Sequence, residues 1–244
     1  MNILFKPIYW VHCVVSLSVI IISTLLLFPF FLVLALVDIK KAYWIQWVWA
    51  KVFLFICGVR LHITFEQPIP KSGAILLFNH STFLDIPVLV IVTQRFMYYV
   101  AKKELGRLPV LGWCFKLVKT LMMPRNDLEA SIQLYEEAKS RLCQGDSFVI
   151  APEGGRNRTS GIADFKSGPF IFAMSAQADL VPVVMKGARD LWPPEDILPN
   201  LRQMTSRLNV HVGKKISTQD WTEENRKVRM HQLKIQFEEL YNKL

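Results

Sequence analysis

No charged side chain occurs between positions 7 and 37. The densest part, VVSLSVIIISTLLLFPFFLVLALV at positions 14–37, is 24 residues long. About 20 apolar residues suffice to cross a hydrocarbon core, so the pattern predicts an N-terminal membrane helix. Pro29 lies inside it. A proline lacks the backbone donor that an interior helical position uses, and it kinks or breaks the helix there. The segment therefore spans once, tilted, or enters and turns back as a helical hairpin. A second apolar stretch, positions 42–59, carries Trp44, Trp47 and Trp49 with Lys40, Lys41 and Lys51 close by. Indoles and lysines favour the membrane–water boundary, and a core helix of the following domain is the competing reading.

Past this point the periodicity changes. Positions 58–67, 73–79, 95–102, 147–155, 180–187 and 208–216 are short runs of β-branched, aromatic and aliphatic residues, which read as strands. Positions 85–94 fit a helix or a buried strand, and 111–125 mix a helix with a short strand. Positions 127–145 are amphipathic, with Ile132, Leu134, Tyr135, Ala138 and Leu142 on one face and Gly145 as a stop. A further helix is predicted over 168–178, and a charged one over 222–244, opened by Thr222. Alternating strands and helices predict a layered α/β domain over residues 59–244, behind an anchor and interfacial helix at residues 1–58.

Composition adds direction to this picture. The net charge is +9, and 28 of the 29 Lys and Arg lie after position 38. Positive residues in short segments beside a span mark the cytoplasmic side, so Lys40, Lys41 and Lys51 place the main domain there. The remaining positive charge suits an anionic membrane surface or anionic substrates. Zinc-finger, RNP-type and basic-helix patterns are missing, which argues against nucleic acid as the partner. The apolar region is too long for a signal peptide and ends without a small-residue cleavage site. The four cysteines show no metal-ligand spacing and have apolar neighbours, so they read as structural and no metal site is expected.

The chemistry begins at AILLFNHSTFLDIPVL, positions 74–89. An apolar strand ends in Asn79-His80, and Asp85 follows in an otherwise apolar stretch. Ligand chemistry in α/β sheets collects at strand ends. Residues five apart do not share a face of a regular helix. His80 and Asp85 meet only if the histidine lies in the turn and the aspartate in the first turns of the helix that follows. The carboxylate then holds one ring nitrogen and leaves the other as a general base. A structural histidine beside a helix-capping aspartate is the bland alternative. PEGGRNR, positions 152–158, adds a carboxylate, two glycines and two arginines after another strand. Glycines let backbone approach a ligand and arginines grip phosphate in a fork. AKKEL (101–105) and MPRND (123–127) put further cations at segment ends.

Four ordered blocks resemble the 1-acylglycerol-3-phosphate acyltransferases and related glycerolipid acyltransferases. The first is N-H-x-x-x-x-D, here Asn79-His80 through Asp85. The second is A-K-x-E-L, then P-x-x-G-W and a strand-end arginine: here Ala101 to Leu105, Pro109, Gly112, Trp113 and Arg125. The third is F-P-E-G-T-R-S followed by F-K-x-G, here Ala151 to Asn157 and then Phe165-Lys166-Ser167-Gly168. The fourth is V-P-V, Val181 to Val183. The likeness covers about residues 60–190. It implies a mixed sheet flanked by helices and acyl transfer from acyl-CoA or acyl carrier protein to the free hydroxyl of a lysophospholipid. Lysophosphatidic acid is the first candidate acceptor. His80 is implied as the base and Asp85 as its partner. Lys102, Lys103, Arg125 and Arg156 are implied to hold the phosphate, with Glu153 on a glycerol hydroxyl or an arginine. Backbone N–H groups near Gly154 and Gly155 are candidates for the oxyanion. The donor is a co-substrate, and neither a cofactor nor a metal is implied.

Two positions depart from the family pattern. Gly155 stands where the family has threonine, and Ala151 where it has phenylalanine. In that family the third block helps bind the glycerol-phosphate part of the acceptor. A lost hydroxyl and lost bulk therefore point toward a different or larger head group: glycerol 3-phosphate, another lysophospholipid or a lyso amino-acid lipid. A non-catalytic lipid-binding protein would have no use for the His80/Asp85 pair. A serine hydrolase would need a G-x-S-x-G elbow, or a D-x-x-H after the GDS of positions 145–147, and the sequence has neither.

Overall fold

The computed structural model describes residues 6–107, 111–124, 128–193, 195 and 206–244. Helix α1, Lys6–Val37, is followed by α2, Tyr43–Ile56, and strand β1, Val59–Phe65. Then come β2 (Ala74–Phe78), α3 (Asp85–Thr93), β3 (Tyr98–Lys102), α4 (Leu111–Leu117), β4 (Leu121–Met123), α5 (Leu128–Cys143) and β5 (Phe148–Ile150). The chain closes with α6 (Gly168–Ser175), β6 (Asp179–Lys186), α7 (Ala188–Leu191), β7 (Ser206–Val212) and α8 (Arg226–Lys243). The strands form a seven-stranded sheet in the order β1-β7-β6-β2-β5-β3-β4. β2 runs parallel to β5 and β6, and β3 runs parallel to β4 and β5. An antiparallel bridge between Leu180 and Ile216 makes the sheet mixed.

Two compact units can be described separately: Met1–Ile63 with Ser81–Phe96 and Met185–Val210, and Thr64–His80 with Met97–Val184 and His211–Leu244. In the first, α1 is one unbroken helix of 32 residues with Pro29 inside it. The proline does not end the helix or turn it back. The turn back comes after Val37, where α2 packs on α1 and the Trp49 indole donates to Thr24 Oγ1 at 3.0 Å. Ser23 and Thr24 hydroxyls donate back to Ile20 O at 2.9 and 2.7 Å, satisfying polar groups inside the apolar run. α1 is long and apolar enough to cross a membrane, and 11% of its most apolar window is buried.

Positions 43–56 form a helix with one buried and one exposed face. α2 buries Ile45, Ala50, Phe53 and Leu54, as a core helix does. Its other face leaves Trp44 and Phe55 exposed, and Lys51 lies over the Trp47 ring at 3.9 Å. Tyr43 donates its hydroxyl to Val90 O at 2.8 Å, joining α2 to α3. Burial pushes that phenol up to about 12. Phe53, Phe83 and Trp192 form an aromatic cluster beside this joint.

The second unit has a core of its own. The five residues of β2 are all buried, as expected for a central parallel strand covered on both faces. Tyr135 of α5 stacks on Phe172 of α6 with centroids 4.7 Å apart, and Phe172 meets Phe148 of β5 edge-on. Phe165 packs against Phe170 and Phe237, which brings α8 onto the same core. The C-terminal helix starts later than its sequence suggests. Thr222 and Asn225 exchange side-chain-to-backbone bonds, and regular helix begins at Arg226.

Candidate active site

Parallel strands share a direction, so their C-terminal ends lie along one edge. In the second unit that edge collects the ends of β2, β5 and β3. The register Leu77↔Ile150 sets the residues after β2 beside those after β5. Tyr99↔Val149 carries Lys102, the last residue of β3, to the level of the loop after Ile150. A parallel sheet therefore brings together His80, Lys102 and residues 151–157 from three distant stretches of chain.

His80 is fixed through its backbone. Its N–H donates to Glu153 Oε1 at 3.1 Å, and its carbonyl accepts from Asn157 N at 2.6 Å. The ring is half-buried and lies 5.4 Å from that of Phe78. Glu153 is buried, and its second oxygen accepts from Ala163 N at 3.2 Å. The carboxylate thus fastens His80 and the 160s loop at once. Asn157 is also buried. Its side chain organises its own loop, accepting from Thr159 N and Oγ1 at 2.8 Å each and donating to Gly161 O at 3.0 Å.

The glycine turn is supported from both sides. Gly154 has φ +77° and its N–H closes a turn on Ala151 O at 3.0 Å, so this N–H is not available to an oxyanion. Lys166 bonds its own N–H to Pro152 O at 2.7 Å and lays its stem beside Gly154. Lys102 brings its Nζ beside Gly155. Arg156 is exposed, and Lys103 is exposed at the start of a 3-10 turn, Lys103–Arg107. Gly112, from the second block, serves packing: a Cβ there would collide with the Gly106 carbonyl. Arg125 lies outside the described residues.

Asp85 belongs to the first unit, where it opens α3 and is fully buried. Its Oδ2 accepts from Ser81 N at 2.7 Å and Thr82 N at 2.9 Å, and its Oδ1 from Thr82 Oγ1 at 3.3 Å. Thr82 Oγ1 also accepts from Leu84 N at 3.0 Å. Placement of the histidine before α3 and of the aspartate in its first turn is as the spacing required. Sequence reading passed over Thr82 and Asn157. Each was legible as a small polar residue beside a turn, the type that bonds its own backbone. The first unit also holds an apolar recess of about 520 Å³, lined by Lys51, Val52, Leu54, Phe55, Val59, Leu61 and Ile91.

His211 reads from sequence as structural or exposed. It is held by Thr64 Oγ1 at 3.1 Å and Glu66 Oε1 at 2.7 Å across neighbouring strands.

Among solved structures, the chain resembles the crystal structure of the 1-acyl-sn-glycerophosphate acyltransferase PlsC from Thermotoga maritima. The TM-score is 0.76 at 19% identity, over 96% of this chain and 97% of that one. The fold is therefore shared. Curated relatives include 1-acyl-sn-glycerol-3-phosphate acyltransferases of Chlamydomonas reinhardtii, 29% identical over 52% of this chain and 38% of the relative, and of Saccharomyces cerevisiae, 28% identical over 76% and 62%. The chain spans about half the length of the curated relatives it matches. The profile of the Acyltransferase family matches residues 60–186. That stretch holds all four sequence blocks and three strand ends that carry them, and by this match the chain belongs to the Acyltransferase family.

Proposed function

We propose that this protein transfers a fatty acyl group from a thioester donor, acyl-CoA or acyl carrier protein, to the free hydroxyl of a lysophospholipid. Lysophosphatidic acid, giving phosphatidic acid, is the acceptor that best fits. The observation that carries the reading is the fastening of His80 at the end of β2 by Glu153 and Asn157, on the edge where Lys102 also ends its strand.

In this scheme His80 takes the proton of the acceptor hydroxyl through one ring nitrogen. Asp85 orients the imidazole and stabilises the imidazolium that forms. The alkoxide attacks the thioester carbonyl, and the tetrahedral intermediate collapses with loss of the thiolate, which receives the proton from His80. Gly155 N–H is the better oxyanion donor of the glycine pair, because that of Gly154 is already bonded. Lys102, Arg156 and Arg125, with Lys103 at the rim, hold the acceptor phosphate. Glu153 keeps His80 in place. Positioning two substrates in this way supplies up to roughly 7–11 kcal/mol of the barrier. The scheme uses no metal and no prosthetic group.

Residues 1–58 act as the anchor and 59–244 as the acyltransferase domain, on the cytoplasmic face. Support comes from the exposed apolar side chains of α1 and from the lysines that follow it. A lipid acceptor and a lipid product make such an anchor useful. The test is transfer of labelled acyl-CoA to lysophosphatidic acid by detergent-solubilised protein, wild type beside His80→Ala. Loss of transfer in a variant with unchanged Tm supports the base assignment, and equal rates refute it.

A further inference from the structure

The two glycines of the third block are glycine for different reasons. Gly154 has φ +77°, where a side chain strains the backbone. Gly155 has no positive φ, so its backbone conformation admits any residue. What a side chain at 155 would meet is Lys102. A Cβ would lie 3.2 Å from Lys102 Nζ and 3.4 Å from Cε, with no other described atom outside its chain neighbours within 4 Å. The room left by the missing side chain is filled by the tip of a cation. It is therefore not a vacant volume for a larger head group, as the sequence alone suggested.

We propose that Gly155 is a specificity-determining residue that acts by admitting the Lys102 ammonium, and that the pair selects acceptors bearing a phosphomonoester over those bearing a phosphodiester. The proposal rests on the acyl-transfer reading above. A family threonine at this position would offer one neutral hydroxyl. Here an ammonium with three donors takes that place. A phosphomonoester carries about −1.5 to −2 charges at neutral pH, whereas a diester carries one. Hydrogen bonds between ionised partners are roughly twice as strong as neutral ones, so the exchange favours the more highly charged head group. Lys102 is half-buried, which limits screening by salt. Threonine at 155 would add three heavy atoms where Nζ now lies and push the ammonium away. Alanine would ask the flexible lysine tip to give by a few tenths of an ångström.

The experiment compares wild type, Gly155→Ala, Gly155→Thr, Lys102→Met and the Lys102→Met/Gly155→Thr double variant as detergent-solubilised full chains of matched Tm. Lysophosphatidic acid and lysophosphatidylglycerol serve as the monoester and diester acceptors. Gly155→Thr is expected to lower kcat/KM for the monoester about tenfold, chiefly through KM, and for the diester by less than about twofold. Gly155→Ala falls between. With methionine at 102, the residue at 155 no longer affects the ratio. An equal fall on both acceptors, or an undiminished effect of Gly155→Thr in the Lys102→Met background, overturns the proposal. Titration of the same proteins with glycerol 3-phosphate by calorimetry gives a readout that needs no turnover. A Kd weakened by Gly155→Thr only when Lys102 is present supports the pair, and a Kd indifferent to residue 155 refutes it. Coupled binding without any acyl transfer would sink the acyl-transfer reading and keep this one. Transfer with uncoupled residues would do the reverse.

Discussion

The loops that follow β2 and β5 are each pinned by a buried carboxylate, and the two carboxylates do different work. Asp85 accepts from residues three and four positions before it, with the N–H groups of Ser81 and Thr82 sharing one oxygen and the Thr82 hydroxyl on the other. Glu153 spends one oxygen on the N–H of His80 and the other on the N–H of Ala163, 73 and 10 positions away. The first closes a local turn. The second ties three separate segments together. A buried donor left without its acceptor costs about 1–3 kcal/mol, so the two sites should answer the same substitution differently.

The largest effect expected is at the histidine that both loops serve. His80→Ala should lower kcat by about 10³-fold or more with little change in Tm, because a general base contributes roughly 10²–10⁴. Asp85→Asn comes next. The amide oxygen can keep both backbone bonds and the NH₂ can donate to Thr82 Oγ1, so the turn survives while the charge is lost. Activity should fall about 10²-fold and Tm should move little. A Tm loss larger than that of Glu153→Gln would break the comparison. For Glu153→Gln the order reverses. Backbone N–H groups cannot turn around, so one of the two faces an NH₂. Stability should drop by about 1–3 kcal/mol, read as a lower denaturation midpoint, with a smaller loss of kcat from a misplaced His80.

The smallest effect belongs to a carboxylate outside both loops. Asp164 is held below its ordinary value of 3.8, first by its hydrogen bond to Lys234 and then by the charge of the same lysine. Its bond to Lys234 Nζ is 2.7 Å. A depressed carboxyl adds stability above its unfolded value and loses it as pH falls through the folded one. Lys234, raised mainly by the same bond, contributes below its unfolded value and loses that as pH rises through the folded one. Asp164 is exposed and Lys234 half-buried, so solvent screens the pair from the carboxylate side. Asp164→Asn should shift Tm barely measurably at neutral pH and not at all in strong acid.

The local device was legible and the long-range one was not. The spacing of His80 and Asp85 was enough to place the histidine in a turn and the aspartate in the next helix, because a five-residue separation leaves few ways for the two to approach. Alternating strands and helices gave the α/β layering, because the burial of each strand leaves a simple run of apolar residues. The roles of Glu153 and Asn157 depend on which strands become neighbours, and strand order leaves no mark on a short window of sequence. Pro29 left two courses open for a related reason. A proline removes one donor, but the apolar surroundings and the pairing of α1 with α2 keep the rest of the helix intact. Gly155 was noticed as a departure from the family pattern, yet the lysine that fills its place could only be found in three dimensions.

The cysteines carry a practical consequence. Cys13, Cys57 and Cys114 are buried, while Cys143 at the end of α5 is exposed. Burial pushes the Cys57 thiol up to about 12 and raises that of Cys114 as well, and a protonated, enclosed thiol reacts slowly. A maleimide dye offered to the folded protein should therefore attach at one place, on α5. The unaltered chain thus supplies its own reporter position for following ligand binding by fluorescence.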